Sequence, residues 1–138
     1  MFKLLEKGRV TLFITCLILV SCNGTKMKRL GENATINFEK NTHDFGELSL
    51  KKEASIVFEF ENDSEELLQV KEVKTSCGCA APTWSKEIIK PNGKGRIKVT
   101  YDSKFPGRFN KTITVFYNGE NSPLELKVKG KVRYPEEI

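Results

Sequence analysis

The stretch SIVFEFEN, residues 55–62, decides the fold expected for this chain of 138 residues. Ile56, Phe58 and Phe60 fall on one side of an extended chain, and Glu59 falls on the other side. Successive side chains of a β-strand point to opposite faces of the sheet, so this alternation predicts a strand with one buried and one solvated face. Such strands are typical of antiparallel sheets that cover a hydrophobic core.

The same alternation recurs in three later runs, GRIKVTYDS (95–103), RFNKTITVFYN (108–118) and PLELKVKGKV (123–132). Residues that favour turns separate the runs, among them Asn62-Asp63-Ser64, Pro91-Asn92-Gly93 and Asn118-Gly119. Further strands are predicted in 36–48 and 67–74, and no stretch carries the periodicity of a helix. The sequence therefore predicts an all-β fold, an immunoglobulin-like β-sandwich of about seven antiparallel strands.

The inward positions of these runs give the core expected between the two sheets. It comprises Ile56, Phe58, Phe60, Ile97, Val99, Tyr101, Ile113, Val115, Leu126 and Val128. We also expect Trp84 to fill part of this core, because sandwich folds bury large aromatic side chains.

The N-terminus has the features of a bacterial lipoprotein signal. A basic start is followed by the apolar run VTLFITCLILV at 10–20. This run is too short for a membrane-spanning helix, which needs roughly 20 residues, but it suits the apolar region of a signal peptide. The next residues, Ser21-Cys22, resemble a lipobox, in which the cysteine after the cut carries the lipid. We predict a signal peptide at 1–21, a lipidated flexible tether at 22–33 and one domain at 34–138.

Cysteine usage draws attention to Cys77 and Cys79. Cys16 leaves with the predicted signal and Cys22 carries the lipid, so only this pair remains in the mature chain. The two thiols can form a disulfide, hold a metal together, or pack as small apolar side chains. In an extended chain their Cα atoms would lie about 6.6 Å apart, at the upper edge of disulfide geometry, so a bond needs a tighter turn. Gly78 suits such a turn.

The size of the ring that Cys77 and Cys79 would close bears on their role. A disulfide that closes so short a loop adds little stability through chain entropy, and strained disulfides are the more easily reduced ones. A redox role is therefore better motivated than a purely stabilising one. Two thiolates also suit Cu(I). Structural zinc takes four ligands, and only His43 offers an obvious third, although a position at a strand end also explains this histidine.

Charge and motifs argue against several function classes. Residues 1–21 carry three of the 23 basic and one of the 18 acidic side chains, which leaves 20 and 17, a net charge of +3, on the mature chain. No cluster of basic and aromatic residues indicates nucleic-acid binding. One histidine and the absence of a G-x-S-x-G turn or a phosphate-binding glycine loop predict no catalytic activity.

Five segments together resemble a known family: HDFGEL (43–48), FEFEN (58–62), SCGCAAPTW (76–84), IKPNGKGRIKVTYD (89–102) and GRFNKTITV (107–115). The family is the bacterial envelope group catalogued as domain of unknown function fifteen seventy-three, and the resemblance covers about 36–132. It differs at Ala80, where the family often has threonine. The resemblance implies an immunoglobulin-like sandwich, related to Hydin-like and major-sperm-protein-like domains, on secreted or lipid-anchored proteins. It implies no established activity.

The function predicted from these observations is a lipid-anchored envelope module for binding or scaffolding, without catalytic activity or cofactor. We expect it to be held at the membrane by Cys22 and to bind another envelope protein through its loops or an exposed strand edge. Basic residues after Cys22 favour a periplasm-facing location at the outer membrane. No nucleic-acid or small-molecule partner is predicted. The alternative function is a thiol-redox or copper-handling accessory protein that uses Cys77 and Cys79.

Overall fold

The structure, a computed structural model, describes residues 30–134. Eight β-strands follow one another: β1 (Ile36–Phe38), β2 (Thr42–Leu48), β3 (Glu53–Asn62), β4 (Val70–Thr75), β5 (Ala80–Trp84), β6 (Lys94–Asp102), β7 (Gly107–Tyr117) and β8 (Leu124–Val132). Within this part of the chain no helix has the length and apolar character needed to cross a membrane. The predicted signal peptide, Cys22 and most of the tether lie outside the described residues.

The strands form two four-stranded sheets, with the orders β1-β3-β6-β5 and β2-β8-β7-β4. All neighbours are antiparallel except β2 and β8, which run parallel. The predicted all-β, immunoglobulin-like sandwich is therefore confirmed, with one parallel pair among its strands.

Two strand boundaries differ from the sequence prediction. The segment 36–48 forms two strands, because the chain leaves one sheet after Phe38 and joins the other sheet at Thr42. The second difference is β5, which pairs in register with β6 although AAPTW reads as a loop. Pro82 explains the misreading, since proline lacks an N–H donor and is found in sheets mainly at edges. β5 is such an edge strand.

The core lies between the two sheets, as the alternation predicts. Nine of the ten predicted core residues are buried, and Ile56 is half-buried against them. Phe109 joins this core and stacks on Tyr101, with 3.8 Å between the ring centroids. Trp84 also packs against the core and is partly buried, and its Nε1 has no hydrogen-bond partner among residues 30–134.

The chain enters the sandwich at one end, here called the tether pole. This pole contains residues 30–34 and the loops at 63–69, 85–93 and 118–123. Buried Asn118 holds this end together. Its Nδ2 donates to the carbonyl oxygens of Gly31 and Leu67, both at 2.7 Å, and its Oδ1 accepts from the Gln69 N–H at 2.6 Å. The first described residues are thus fixed beside the end of β7.

The opposite end, here called the cystine pole, contains the loops 49–52, 76–79 and 103–106 together with Arg133 and Tyr134. Buried Ser103 joins two of these loops. Its Oγ donates to the carbonyl oxygens of Ser49 and Lys52, at 2.7 and 2.6 Å, and accepts from the Lys52 N–H. The two poles are separated by the full length of β3 and β6.

Replacing Phe58 with alanine tests the core. Phe58 is 3% exposed, so the Phe58→Ala variant should lose about 3–5 kcal/mol of unfolding free energy in urea denaturation. Val57 is the matched control, because it is 41% exposed on the same strand and Val57→Ala should change stability by less than about 1 kcal/mol. Equal losses in the two variants would show that the inward face of β3 is wrongly assigned.

Candidate functional site

The loop with Cys77 and Cys79 carries the chain from β4 in one sheet to β5 in the other. Main-chain hydrogen bonds hold it on both sides. The Ser76 N–H donates to the Thr112 carbonyl at 3.0 Å, and the Asp102 N–H donates to the Cys79 carbonyl at 2.9 Å. The Thr75 hydroxyl caps the loop by donating to the Cys77 carbonyl at 2.8 Å. These bonds position the loop beside the last residue of β6 without any contribution from the sulfur atoms.

Cys77 and Cys79 are joined by a disulfide, with their Cα atoms 5.4 Å apart. Both side chains are partly buried and pack against the hydrophobic core. One side of the bond therefore faces the core, and the partial exposure leaves the other side within reach of solvent.

Gly78 has a different role from the one expected. Its φ lies outside the left-handed range, so the turn does not require glycine, and a Cβ built there would meet no atom within 4 Å. A side chain at this position would project into open space. The loop thus carries a disulfide between two partly exposed cysteines on a main chain fixed by hydrogen bonds.

His43 does not approach the disulfide. It lies on β2, whereas β4, which leads into the disulfide loop, is the other edge of the same sheet. The imidazole packs edge-on against Phe45, with 4.7 Å between ring centroids. Within residues 30–134 no group of three or more His, Cys, Asp or Glu side chains is arranged to hold a metal ion.

Next to the disulfide loop, the cystine pole exposes a large aromatic side chain. Phe105 is 77% exposed, on the loop that follows Asp102. Ion pairs join Lys104 to Asp102 at 2.8 Å and Arg133 to Glu47 at 2.9 Å. The remaining cations on the loops and strand ends of this pole are Lys51, Lys52 and Arg108. An exposed aromatic ring among cations that include arginine is a composition typical of binding interfaces.

Two groups at this pole have shifted pKa values. The hydrogen bond from Lys104 to the Asp102 carboxylate raises the pKa of that lysine, and the negative charge of Asp102 adds to the effect. Burial raises the pKa of Tyr101, and Asp102 again adds to the shift. Both shifts move titration further above neutral pH, so the lysine stays cationic and the phenol stays neutral under physiological conditions.

The sequence analysis did not identify Phe105 as a candidate binding residue. It lies in SKFPG, between two strands whose alternation is clear, and an aromatic residue between turn-forming residues was the signal available there. Pro106 directly after it and Gly107, with φ at 120°, make the segment a turn rather than a strand end. A large apolar side chain at such a turn has no strand face to direct it into the core.

A model of one protein family matches residues 36–132, with the description "Protein of unknown function (DUF1573)". The chain belongs to this family. The match covers both sheets and the disulfide loop, and it confirms the resemblance seen in the sequence. Among curated proteins, none matches this chain significantly.

Solved structures show the same fold at low sequence identity. A protein of unknown function from Porphyromonas gingivalis W83 aligns with a TM-score of 0.65 at 16% identity, covering 75% of this chain and 49% of that chain. The ASH/PapD-like domain 7 of human CEP192 aligns with a TM-score of 0.64 at 8% identity, covering 76% and 89%. The VesB protease of Vibrio cholerae aligns with a TM-score of 0.56 at 9% identity, covering 74% and 32%. This DUF1573 chain thus shares its sandwich fold with a PapD-like domain.

The double substitution Cys77→Ser and Cys79→Ser tests what the disulfide contributes. Main-chain bonds already fix the loop and the closed ring is minimal, so the unfolding free energy should fall by no more than about 2 kcal/mol. Urea denaturation measures this loss, and alkylation followed by intact-mass measurement confirms the oxidation state of the parent protein. A loss as large as that expected for Phe58→Ala would instead identify the disulfide as a principal structural element.

Proposed function

We propose that this DUF1573 protein is a lipid-anchored module of the bacterial envelope that binds another envelope protein and has no catalytic activity of its own. The observation that carries the proposal is Phe105, exposed at the pole opposite the point where the chain enters the domain. Exposed aromatic residues are common anchors of protein interfaces, since they bury a large area at low entropic cost.

The proposed lipid anchor sets which pole of the domain faces the membrane. A lipid on Cys22 would lie eight positions before Leu30, and residues 30–34 are fastened at the tether pole through Asn118. A tether attached there leaves the cystine pole free to face away from the membrane. We place the protein on the periplasmic side of the outer membrane, as the basic residues that follow Cys22 favour.

The cations around Phe105 indicate which kind of partner surface would be complementary to this pole. Lys51, Lys52 and Arg108 have no carboxylate partner among the residues that the structure describes. A partner that offers an apolar pocket with acidic side chains around it would bury the ring and pair with these cations. Charges at the rim of such an interface affect the association rate and the choice of partner more than the affinity.

Thiol-disulfide exchange is the second candidate function, and the partial exposure of both cysteines favours it. A thiolate of a partner dithiol would attack one sulfur and release the other, which takes up a proton. The second partner thiol would then displace the mixed disulfide, so that Cys77 and Cys79 become thiols and the partner becomes a disulfide. Copper handling needs this reduced form, because only thiolates bind Cu(I) strongly.

A photo-crosslinking amino acid at position 105 tests the binding function in cells. The matched control is position 88, because Ile88 is 54% exposed at the tether pole. We expect a discrete adduct with one envelope protein from position 105 and none from position 88. In co-purification, Phe105→Ser should lower recovery of that protein at least about tenfold, and Ile88→Ser should leave it unchanged.

Adducts of equal yield from the two positions would show that contact at the cystine pole is nonspecific. Recovery unaffected by Phe105→Ser would contradict a role for this ring in binding. Loss of recovery only after Cys77→Ser and Cys79→Ser, with Phe105→Ser unaffected, would favour the exchange function.

A further inference from the structure

β3 is longer than the strand that covers its outer side. β1 pairs only with Phe60–Asn62, and the Glu39 N–H adds one hydrogen bond to the Glu59 carbonyl, at 3.3 Å. On its other side, β3 pairs with β6 from Glu53 to Glu61 without interruption. Within residues 30–134, no strand pairs with the outer side of residues 53–58, a segment here called the β3 edge.

The main chain of the β3 edge presents a regular row of hydrogen-bonding groups. In an antiparallel strand, every second residue directs both its N–H and its C=O to the same neighbour. Since the Glu59 carbonyl faces β1, the residues with the same direction are Val57, Ser55 and Glu53. Their N–H and C=O groups point to the open side, and a row of this kind is a template for another strand.

A groove of about 270 Å³ lies along this edge. Ile56, Val57 and Phe58 of β3 line one side, and Thr42 and His43 of β2 line the other. Ile56 is only half-buried because β1 ends before reaching it. Where β1 is present, Phe38 packs on Phe60 with 5.2 Å between ring centroids. An apolar side chain four positions further along the line of β1 would cover Ile56 in the same way.

The other sheet edges carry features that discourage strand addition. β5 contains Pro82, and β2 has an irregular register between Asp44 and Glu47 with Gly46 at a φ of 66°. β4 has a register shift between Val70 and Glu72 and carries charged side chains. Bulges, prolines and charges are the usual protection of exposed edges. The β3 edge contains neither proline nor bulge.

We propose that the β3 edge receives an extended polypeptide segment of the partner, antiparallel to β3 and in line with β1. The proposal rests on the proposed binding function and names its second contact surface. The edge begins at Glu53, which pairs with Asp102, so it starts at the same pole that exposes Phe105. An extended main chain can replace water at the whole row of donors and acceptors at once.

The side chains of the edge define the sequence of that segment. Residues opposite Phe58, Ile56 and Ala54 would point into the groove and should be apolar. Residues opposite Val57 and Ser55 would lie on the outer face, where valine or threonine fits a β-strand. The carboxylate of Glu53 at the open end favours a basic residue opposite it, because unlike charges that face each other across strands stabilise the pair.

The synthetic peptide Lys-Val-Thr-Val-Thr-Val-Lys, which has this pattern, is the probe. Added to the full chain in detergent at about 1 mM, it should slow amide hydrogen exchange of Glu53, Ser55 and Val57 at least about tenfold in residue-resolved NMR. Since the Ser76 N–H faces β7, the amides of Val73 and Thr75 face the open side of β4, and they should exchange at unchanged rates. No slowing at the β3 edge, or equal slowing at both edges, overturns the proposal.

Val57→Pro removes one outward N–H without removing a hydrogen bond to β6, and it should weaken peptide binding at least about tenfold. Val57→Thr keeps the N–H and the branched side chain and should bind like the parent protein. Equal binding by the two variants would contradict strand addition. If the peptide still slows amide exchange at the β3 edge of the Phe105→Ser variant, the β3 edge binds independently of Phe105. If the peptide has no effect, the strand-addition proposal fails, while crosslinks from position 105 would still support the proposed binding function.

Discussion

The alternation of side chains along the strands is the constraint on which the remaining structure depends. Every second residue of β3, β6, β7 and β8 is committed to the core between the sheets, and this burial supplies most of the stability of the domain. The opposite positions are solvated and largely charged. Within residues 30–134, the residues available for recognition or chemistry are therefore confined to the strand ends and to the sheet edges, among which the β3 edge has neither proline nor bulge.

The two ends of the sandwich, where residues are not committed to the core, differ in their side chains. At the tether pole, the buried amide of Asn118 satisfies three main-chain groups and fixes the incoming chain. At the cystine pole, Ser103 closes the loops, while Phe105 is exposed and the two disulfide-bonded cysteines are partly exposed. Polar groups with complete hydrogen bonding thus fix the tether pole, which the proposed function uses for attachment. Apolar groups with incomplete burial lie at the cystine pole, which it uses for contact.

Sequence periodicity was enough to predict the long strands and nine of the residues buried between the sheets, because burial on one face imposes a period of two. It failed where the structure depends on long-range pairing. The parallel contact of β2 with β8 and the early end of β1, which leaves Ile56 half-buried, have no local signal. β5 was missed because Pro82 is a turn signal unless the strand is known to be an edge. Gly78 suggested a constrained turn, whereas its φ is ordinary and a side chain there would project into open space.

The direction of the domain on the membrane is the central claim, and lipid-dependent fluorescence quenching tests it most directly. The lipidated protein would carry a fluorophore on Phe105→Cys at the cystine pole or on Glu120→Cys at the tether pole, in vesicles that contain nitroxide-labelled lipid. The account predicts strong quenching at position 120, weak quenching at position 105 and none at either position when Cys22→Ser prevents lipidation. Quenching at position 105 that equals or exceeds quenching at position 120 would contradict it.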